Sequence, residues 1–229
     1  YLPQAGGGGY DVQHYDVRVD PRARELVGRA TITAVATQDL DAFHLDLFPA
    51  VRGVTVNGAA ASFTQRRDDL AVTVERTTPA APAIASGSTF TATVEYAGDP
   101  GNFEVRGTSA FYADGKEFLI AGEPASASLW YPANDHPRDA ATMQFTVTVP
   151  RGTEALAAGR LVERGADPAL PDADRWVWQV DAPTVTYATF LAVGEYRVEQ
   201  GTADGRPFVY AVSTRLSAER QTAALRWLR

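Results

Sequence analysis

The strongest constraint in this chain is a hydrophobic period of two. Tyr15, Val17 and Val19 alternate with Asp16, Arg18 and Asp20; Ala30, Ile32 and Ala34 with Thr31 and Thr33. The same alternation recurs at Phe43, Leu45 and Leu47, at Phe90–Tyr96, at Phe145–Val149 and at Trp176–Val180. Successive side chains of a strand point to opposite faces, so each run reads as a strand with one face on a core and one wetter face. Turn signals separate the runs: Asp20-Pro21, Asn57-Gly58, Asp99-Pro100-Gly101, Asp114-Gly115 and Asp204-Gly205. Asn-Gly and Asp-Gly suit tight hairpins, because both central positions of a type I′ turn need positive φ. Strands at this spacing, with no long helical pattern between them, predict an all-β fold: an antiparallel curved sheet or β-sandwich.

A helical period arrives only at the end. Ser217 reads as an N-cap, and Ala218, Leu225 and Leu228 follow at helical spacing. The chain stops inside this short C-terminal helix without a C-cap, which predicts polypeptide beyond it. It begins at Tyr1 rather than Met, which predicts that upstream residues were removed. Three parts are expected: a flexible leading segment, residues 1–9, whose glycines 6–9 form a tether or surface loop; a β-rich domain, residues 10–213; and the start of an outgoing helix, residues 214–229. A chain of 229 residues is long enough to bury a proper core.

Composition excludes several functions. A net charge of −7 argues against a nucleic-acid surface, which needs clustered Lys and Arg. With no cysteine, a disulfide scaffold, a Cys-based zinc site and a Cys nucleophile are ruled out. No apolar run approaches the roughly 18 residues of a membrane span. Neither a G-x-S-x-G elbow nor a phosphate-binding glycine pattern occurs.

Several segments together resemble one family. Residues 10–17, YDVQHYDV, and 26–32, LVGRATI, resemble the first two strands of the M1 metallopeptidases. Residues 91–97, TATVEYA, are similar to a later strand, with Tyr96 and Gly98 as its aromatic and glycine elements. The most specific stretch is 122–137, GEPASASLWYPANDHP, which resembles the "W-F-P-C-N-D-H-P" of bacterial secreted members, with Ala133 in place of the usual Cys. FTVTVP at 145–150, LAAGRLVE around Gly159 and LAVGEY at 191–196 continue the resemblance in order. It implies the saddle-like N-terminal domain of a zinc aminopeptidase, cutting residues from peptides with a free N-terminus, with an extracellular or cell-envelope location. The family's H-E-x-x-H and G-x-M-E-N motifs are missing. The only histidines, His14, His44 and His136, show neither a following Glu nor the i, i+4 spacing of two ligands on a helix face. The resemblance therefore implies a missing catalytic domain beyond residues 214–229, zinc held there, and a fragment that is inactive by itself. A stand-alone β-sandwich module that binds protein or glycan would show the same strand pattern. A carboxylate-pair glycosidase has no recognisable acidic pair to support it.

The candidate site residues follow from that resemblance. Glu123 takes the position from which the first domain offers a Gln or Glu to the substrate's α-ammonium, a compact cation suited to charge-assisted hydrogen bonds. A solvated loop glutamate is the plain alternative. Trp130 and Tyr131 could wall a substrate cleft, although large aromatics more often pack a core. Asp135, His136 and Asp139 lack zinc spacing and read as a turn. The pairs His14/Asp16 and His44/Asp46 share strand faces but supply only two potential metal ligands each.

Overall fold

The computed structural model describes residues 6–22, 25–105, 109–121, 123 and 126–228. In chain order the strands are β1 (Tyr10–Arg22), β2 (Glu25–Ala36), β3 (Ala42–Asp46), β4 (Ala50–Val56), β5 (Ala59–Ala60), β6 (Ser62–Arg66), β7 (Asp69–Thr73) and β8 (Thr89–Gly98). There follow β9 (Phe111–Ala113), β10 (Phe118–Ile120), β11 (Ala140–Pro150), β12 (Glu154–Ala157), β13 (Arg160–Ala166) and β14 (Ala173–Val185). Last come β15 (Leu191–Gly194), β16 (Tyr196–Ala203), β17 (Arg206–Ser213) and one helix, α1 (Ala218–Leu228). The all-β reading with a short terminal helix holds.

An eight-stranded sheet runs β13-β14-β11-β1-β2-β8-β4-β5. Smaller sheets, β12-β15-β10-β9 and β3-β7-β6, pack against it. In β2 the period of two is complete: Leu26, Ala30, Ile32, Ala34 and Ala36 are buried while Glu25 and Arg29 are exposed. One core cluster joins the inward faces of all three sheets, from Tyr10 and Phe90 to Ile120, Leu191 and Val72. Burial of this continuous apolar surface is the main driving force that holds the layers together.

Two local expectations give way. The strand β1 runs through Asp20-Pro21 instead of turning there, with Pro21 opposite Leu26. Pairing of β1 to β11 has ended by Val19, so Pro21 sits where the strand has become an edge and proline is tolerated. That β1–β11 pairing is parallel, Tyr15 opposite Met143 and Val17 opposite Phe145, within an otherwise antiparallel set of described pairs. Parallel neighbours need a long connection, and residues 23–139 supply it. By contrast Asn57-Gly58 (φ 50° and 81°) and Asp204-Gly205 (φ 50° and 75°) turn as expected. Positive φ at both positions closes β4–β5 and β16–β17.

The β16–β17 hairpin belongs to none of the three core sheets. A cleft of about 1030 Å³, lined by Trp178, Val180, Phe190, Phe208 and Val209, opens beside it. The helix α1 packs on β17, burying Leu225, and the backbone N–H of Arg220 donates to Ser217 Oγ at 3.3 Å, the expected N-cap.

Candidate functional site

From residue 126 on, the stretch singled out at 122–137 is, together with Arg138 and Asp139, the anchor of the molecule. A single 3-10 turn, Ala127–Leu129, delivers Trp130, whose ring stacks on Phe145 of β11 at 5.1 Å and meets Tyr131 edge-on at 4.7 Å. Tyr131 in turn packs edge-on against Tyr15 of β1. Both Trp130 and Tyr131 are 0% exposed. Rings without exposed surface cannot line a substrate cleft, so their part is packing, and they tie this segment to the central strands.

The backbone is tied as firmly. Tyr96 Oη donates to the Trp130 carbonyl at 2.7 Å, and Tyr15 Oη accepts from the Asn134 amide at 3.0 Å. Tyr96 reaches Trp130 by crossing Gly28, its partner in the β2–β8 register. A β-carbon at Gly28 would lie 2.2 Å from the Tyr96 ring. The glycine and the tyrosine of two separate sequence segments are thus one device, seated under the third.

Polar residues fasten the far end. Ala133 and Asp46 exchange backbone hydrogen bonds of 2.8 and 3.1 Å, and Asp46 Oδ2 accepts from the Asp135 amide at 2.9 Å. Thr186 donates to Asp135 Oδ1 at 2.5 Å. Asn134 gives its side-chain amide to Asp139, which also accepts from the Val12 amide at 3.3 Å. Burial pushes the Asp46 carboxyl up to about 7; the Asp135 amide opposes this, and the charges of Asp135, Asp68 and Asp69 add to it. Burial likewise pushes Asp139 up to about 6, against the pull of the Asn134 amide.

The Asp135, His136 and Asp139 side chains engage separate partners, His136 accepting the Arg138 amide at 3.1 Å. The turn reading therefore describes them. The histidine pairs do not converge either: His14 bonds Thr142 at 2.8 Å while Asp16 pairs with Arg18, and His44 bonds Asp69 at 2.6 Å while Asp46 faces the Asp135 amide. No group of three His, Cys, Asp or Glu suited to a metal occurs among the described residues. The donor set of these residues does not fit zinc.

Of glycines 6–9, expected to form a tether or a surface loop, Gly6, Gly7 and Gly9 lie against other segments while Gly8 is exposed. Asn134 Oδ1 accepts from the Gly7 amide at 2.7 Å, and a β-carbon on Gly7 would lie 2.4 Å from the His44 carbonyl. At Gly6 and Gly7 the backbone passes too close to Asn134, His136 and His44 for a side chain. Residues 1–5 of that leading segment lie outside the described residues.

Glu123 stands apart from all this, exposed in a turn after β10. Its neighbour Pro124 lies outside the described residues. The strand β10 is the second-to-last of the four-stranded sheet, paired to β15 through Phe118, Leu119 and Ile120, and to β9 through the same residues. The Ala121 amide then closes on the Ala110 carbonyl at 3.0 Å, two residues before Glu123. The carboxylate is therefore exposed three residues past the end of a short, doubly paired strand and seven residues ahead of the buried Trp130. What sequence reasoning missed is Asp46, whose role as acceptor for Asp135 spans 89 positions and leaves no local pattern.

No family model matches the chain. A curated aminopeptidase N of Acetobacter pasteurianus is 31% identical over 198 residues, 82% of this chain and 54% of that protein. Among solved structures, an M1 zinc metallopeptidase from Deinococcus radiodurans superposes with a TM-score of 0.75 at 28% identity, over 88% of this chain and 46% of that one. A two-domain M1 zinc metallopeptidase mutant bound to L-arginine gives a TM-score of 0.80 at 26% identity, over 94% and 50%. The chain thus spans about half the length of the relatives it matches. Its fold, its buried anchor and these likenesses agree: the chain belongs to the M1 zinc metallopeptidases, as an N-terminal domain of that family.

Proposed function

We propose that this chain is the substrate-facing first domain of a zinc-dependent aminopeptidase, and that Glu123 receives the α-ammonium of a peptide's free N-terminus. The observation that carries this is the position of Glu123: a carboxylate exposed in a turn, three residues after a strand paired on both sides and three before a segment packed into the core. A similar M1 metallopeptidase mutant from Deinococcus radiodurans is bound to a Tyr-Ser-Ala substrate, which agrees with a peptide ligand.

In this reading the zinc and general-base residues lie in the half of its relatives that this chain does not span. The work of this chain is binding and orientation. A carboxylate facing an ammonium forms charge-assisted hydrogen bonds, and a fixed amine sets which peptide bond meets the reacting centre. An internal peptide segment offers no such cation, so Glu123 would also select for chain ends.

The test is hydrolysis of an aminoacyl-anilide by the full-length enzyme, wild type against Glu123→Ala, with zinc content measured in both. Loss of a hydrogen bond to a charged group costs about 1.5–3 kcal/mol, so kcat/KM should fall by about 10- to 150-fold with zinc unchanged. Wild-type kinetics in the variant would reduce Glu123 to a loop residue. No hydrolysis by the zinc-replete wild type would favour a binding module instead.

A further inference from the structure

The turn of the β9–β10 hairpin is tied to the segment that leads into α1. Asp114 makes an ion pair with Arg215, and Ser213 Oγ donates to Glu117 Oε1. Five further contacts make the two sides of this clasp stiff. On the hairpin side, Asp114 Oδ1 accepts from the Lys116 amide at 3.1 Å and the Glu117 amide at 3.0 Å, and Asp114 Oδ2 accepts from Tyr112 Oη at 3.0 Å. On the other side, the Thr214 amide donates to the Glu195 carbonyl at 3.0 Å. Gln221 of α1 reaches back to the Leu216 carbonyl at 2.7 Å, joining the helix to the same segment.

The Arg215 guanidinium, with the Glu117 and Lys116 amides behind it, holds the Asp114 carboxyl well below the usual carboxylate range. Asp114 therefore stays charged at any working pH. Glu117 is confined from another direction as well. A β-carbon at Gly194, the last residue of β15, would lie 2.9 Å from Glu117 Cγ, so the side chain lies directly over that strand end.

The hairpin turn and the turn that holds Glu123 flank one short strand, β10. From Glu117 the chain enters β10, and Glu123 follows three residues after Ile120. A paired strand advances about 3.3 Å per residue and does not compress, so displacement at one end moves the other. We propose that the Asp114–Arg215 and Glu117–Ser213 contacts are a positioning clasp, registering the Glu123 turn against the polypeptide that enters α1. This rests on the amine-binding reading of Glu123 and extends it: Asp114, Glu117, Ser213 and Arg215 touch no substrate and act through Glu123. The geometry suits that task, because the domain carrying the scissile-bond chemistry would follow α1, while Glu123 sits on the hairpin side. An amine held to one side of a cut made on the other needs the two sides in fixed register.

The test uses the full-length enzyme and an aminoacyl-anilide, with zinc content and melting temperature measured for every variant. Arg215→Ala, Arg215→Lys, Glu123→Ala and the double variant Arg215→Ala/Glu123→Ala are compared. An exposed ion pair contributes little, so Arg215→Ala should raise KM by about two- to fivefold with kcat within about twofold. Arg215→Lys, which keeps the charge, should restore KM. In the Glu123→Ala background the Arg215 substitution should add nothing to KM, while amide exchange at 118–121 should quicken in both variants that carry Arg215→Ala. An unchanged KM in Arg215→Ala, or an equal effect with and without Glu123, overturns the clasp while leaving the amine site standing. Wild-type kinetics in Glu123→Ala overturns the amine site itself, and the clasp with it.

Discussion

Gly28 shows how much of this fold rests on single atoms. The ring of Tyr96 lies over it, closer than any β-carbon permits, and the hydroxyl beyond that ring holds the Trp130 carbonyl. An added methyl must push a buried ring off a buried hydrogen bond. Overpacking of this kind costs about 1–3 kcal/mol, so Gly28→Ala should lower the urea midpoint with the m-value unchanged. Equal midpoints would mean that Tyr96 can shift freely. In the sequence, Gly28 and Tyr96 were legible as family-like positions, and their partnership was not: they stand 68 residues apart and meet only through the β2–β8 register. Glu123 was legible only through resemblance, since an exposed glutamate in a turn carries no pattern of its own. Asp46 was legible merely as a strand residue beside His44.

At the scale of elements, the segment 130–139 behaves as a plug seated by carboxylates. Burial holds Asp46 near 7 and Asp139 near 6, both above the ordinary aspartate value. A raised folded-state pKa means that the folded chain binds more protons than the unfolded one across that window. Stability is then fully present below the ordinary value and declines as pH rises through 7. Asp135, Asp68 and Asp69 face Asp46, and Asp11 faces Asp139, so each ionisation meets negative charge. Asn at position 46 keeps an oxygen for the Asp135 amide but cannot ionise. The urea midpoint of wild type should therefore fall from about pH 4.5 to about pH 7.5 more steeply than that of Asp46→Asn, with Asp139 leaving a residual slope in the variant. Parallel profiles would show that Asp46 is not strained in the fold. The turns at Asn57-Gly58 and Asp204-Gly205 could be read directly, because positive φ has a short list of residues that accept it. The continuation of β1 through Pro21 could not, because it depends on where β11 stops pairing.

Across the whole molecule, cohesion is uneven. The three core sheets share one cluster that includes Val17, Ile32, Phe90, Phe145 and Trp178. The β16–β17 hairpin and α1 stand outside it, joined through partly buried Val198 and Ala211, and through Leu225 on β17. Local stability follows buried contacts, so amides of β16, β17 and α1 should exchange faster than those of β1, β2 and β8, through openings smaller than global unfolding. Uniform protection across both groups would show a single cooperative unit. Trp227, 90% exposed on α1, belongs to the same loosely held periphery. The sequence by itself determined the strand class, the hairpin turns, the capped terminal helix and, through WYPANDHP, the family, because alternation, positive φ, capping and short motifs are all local. Only the tertiary structure decided that β11 lies parallel to β1, that Gly7 lies against Asn134 and His44, that Trp130 and Tyr131 are wholly interior, and that Asp114 meets Arg215. Each of those joins residues dozens of positions apart or more, and which distant faces meet is settled by burying one continuous core, a condition on all the strands at once.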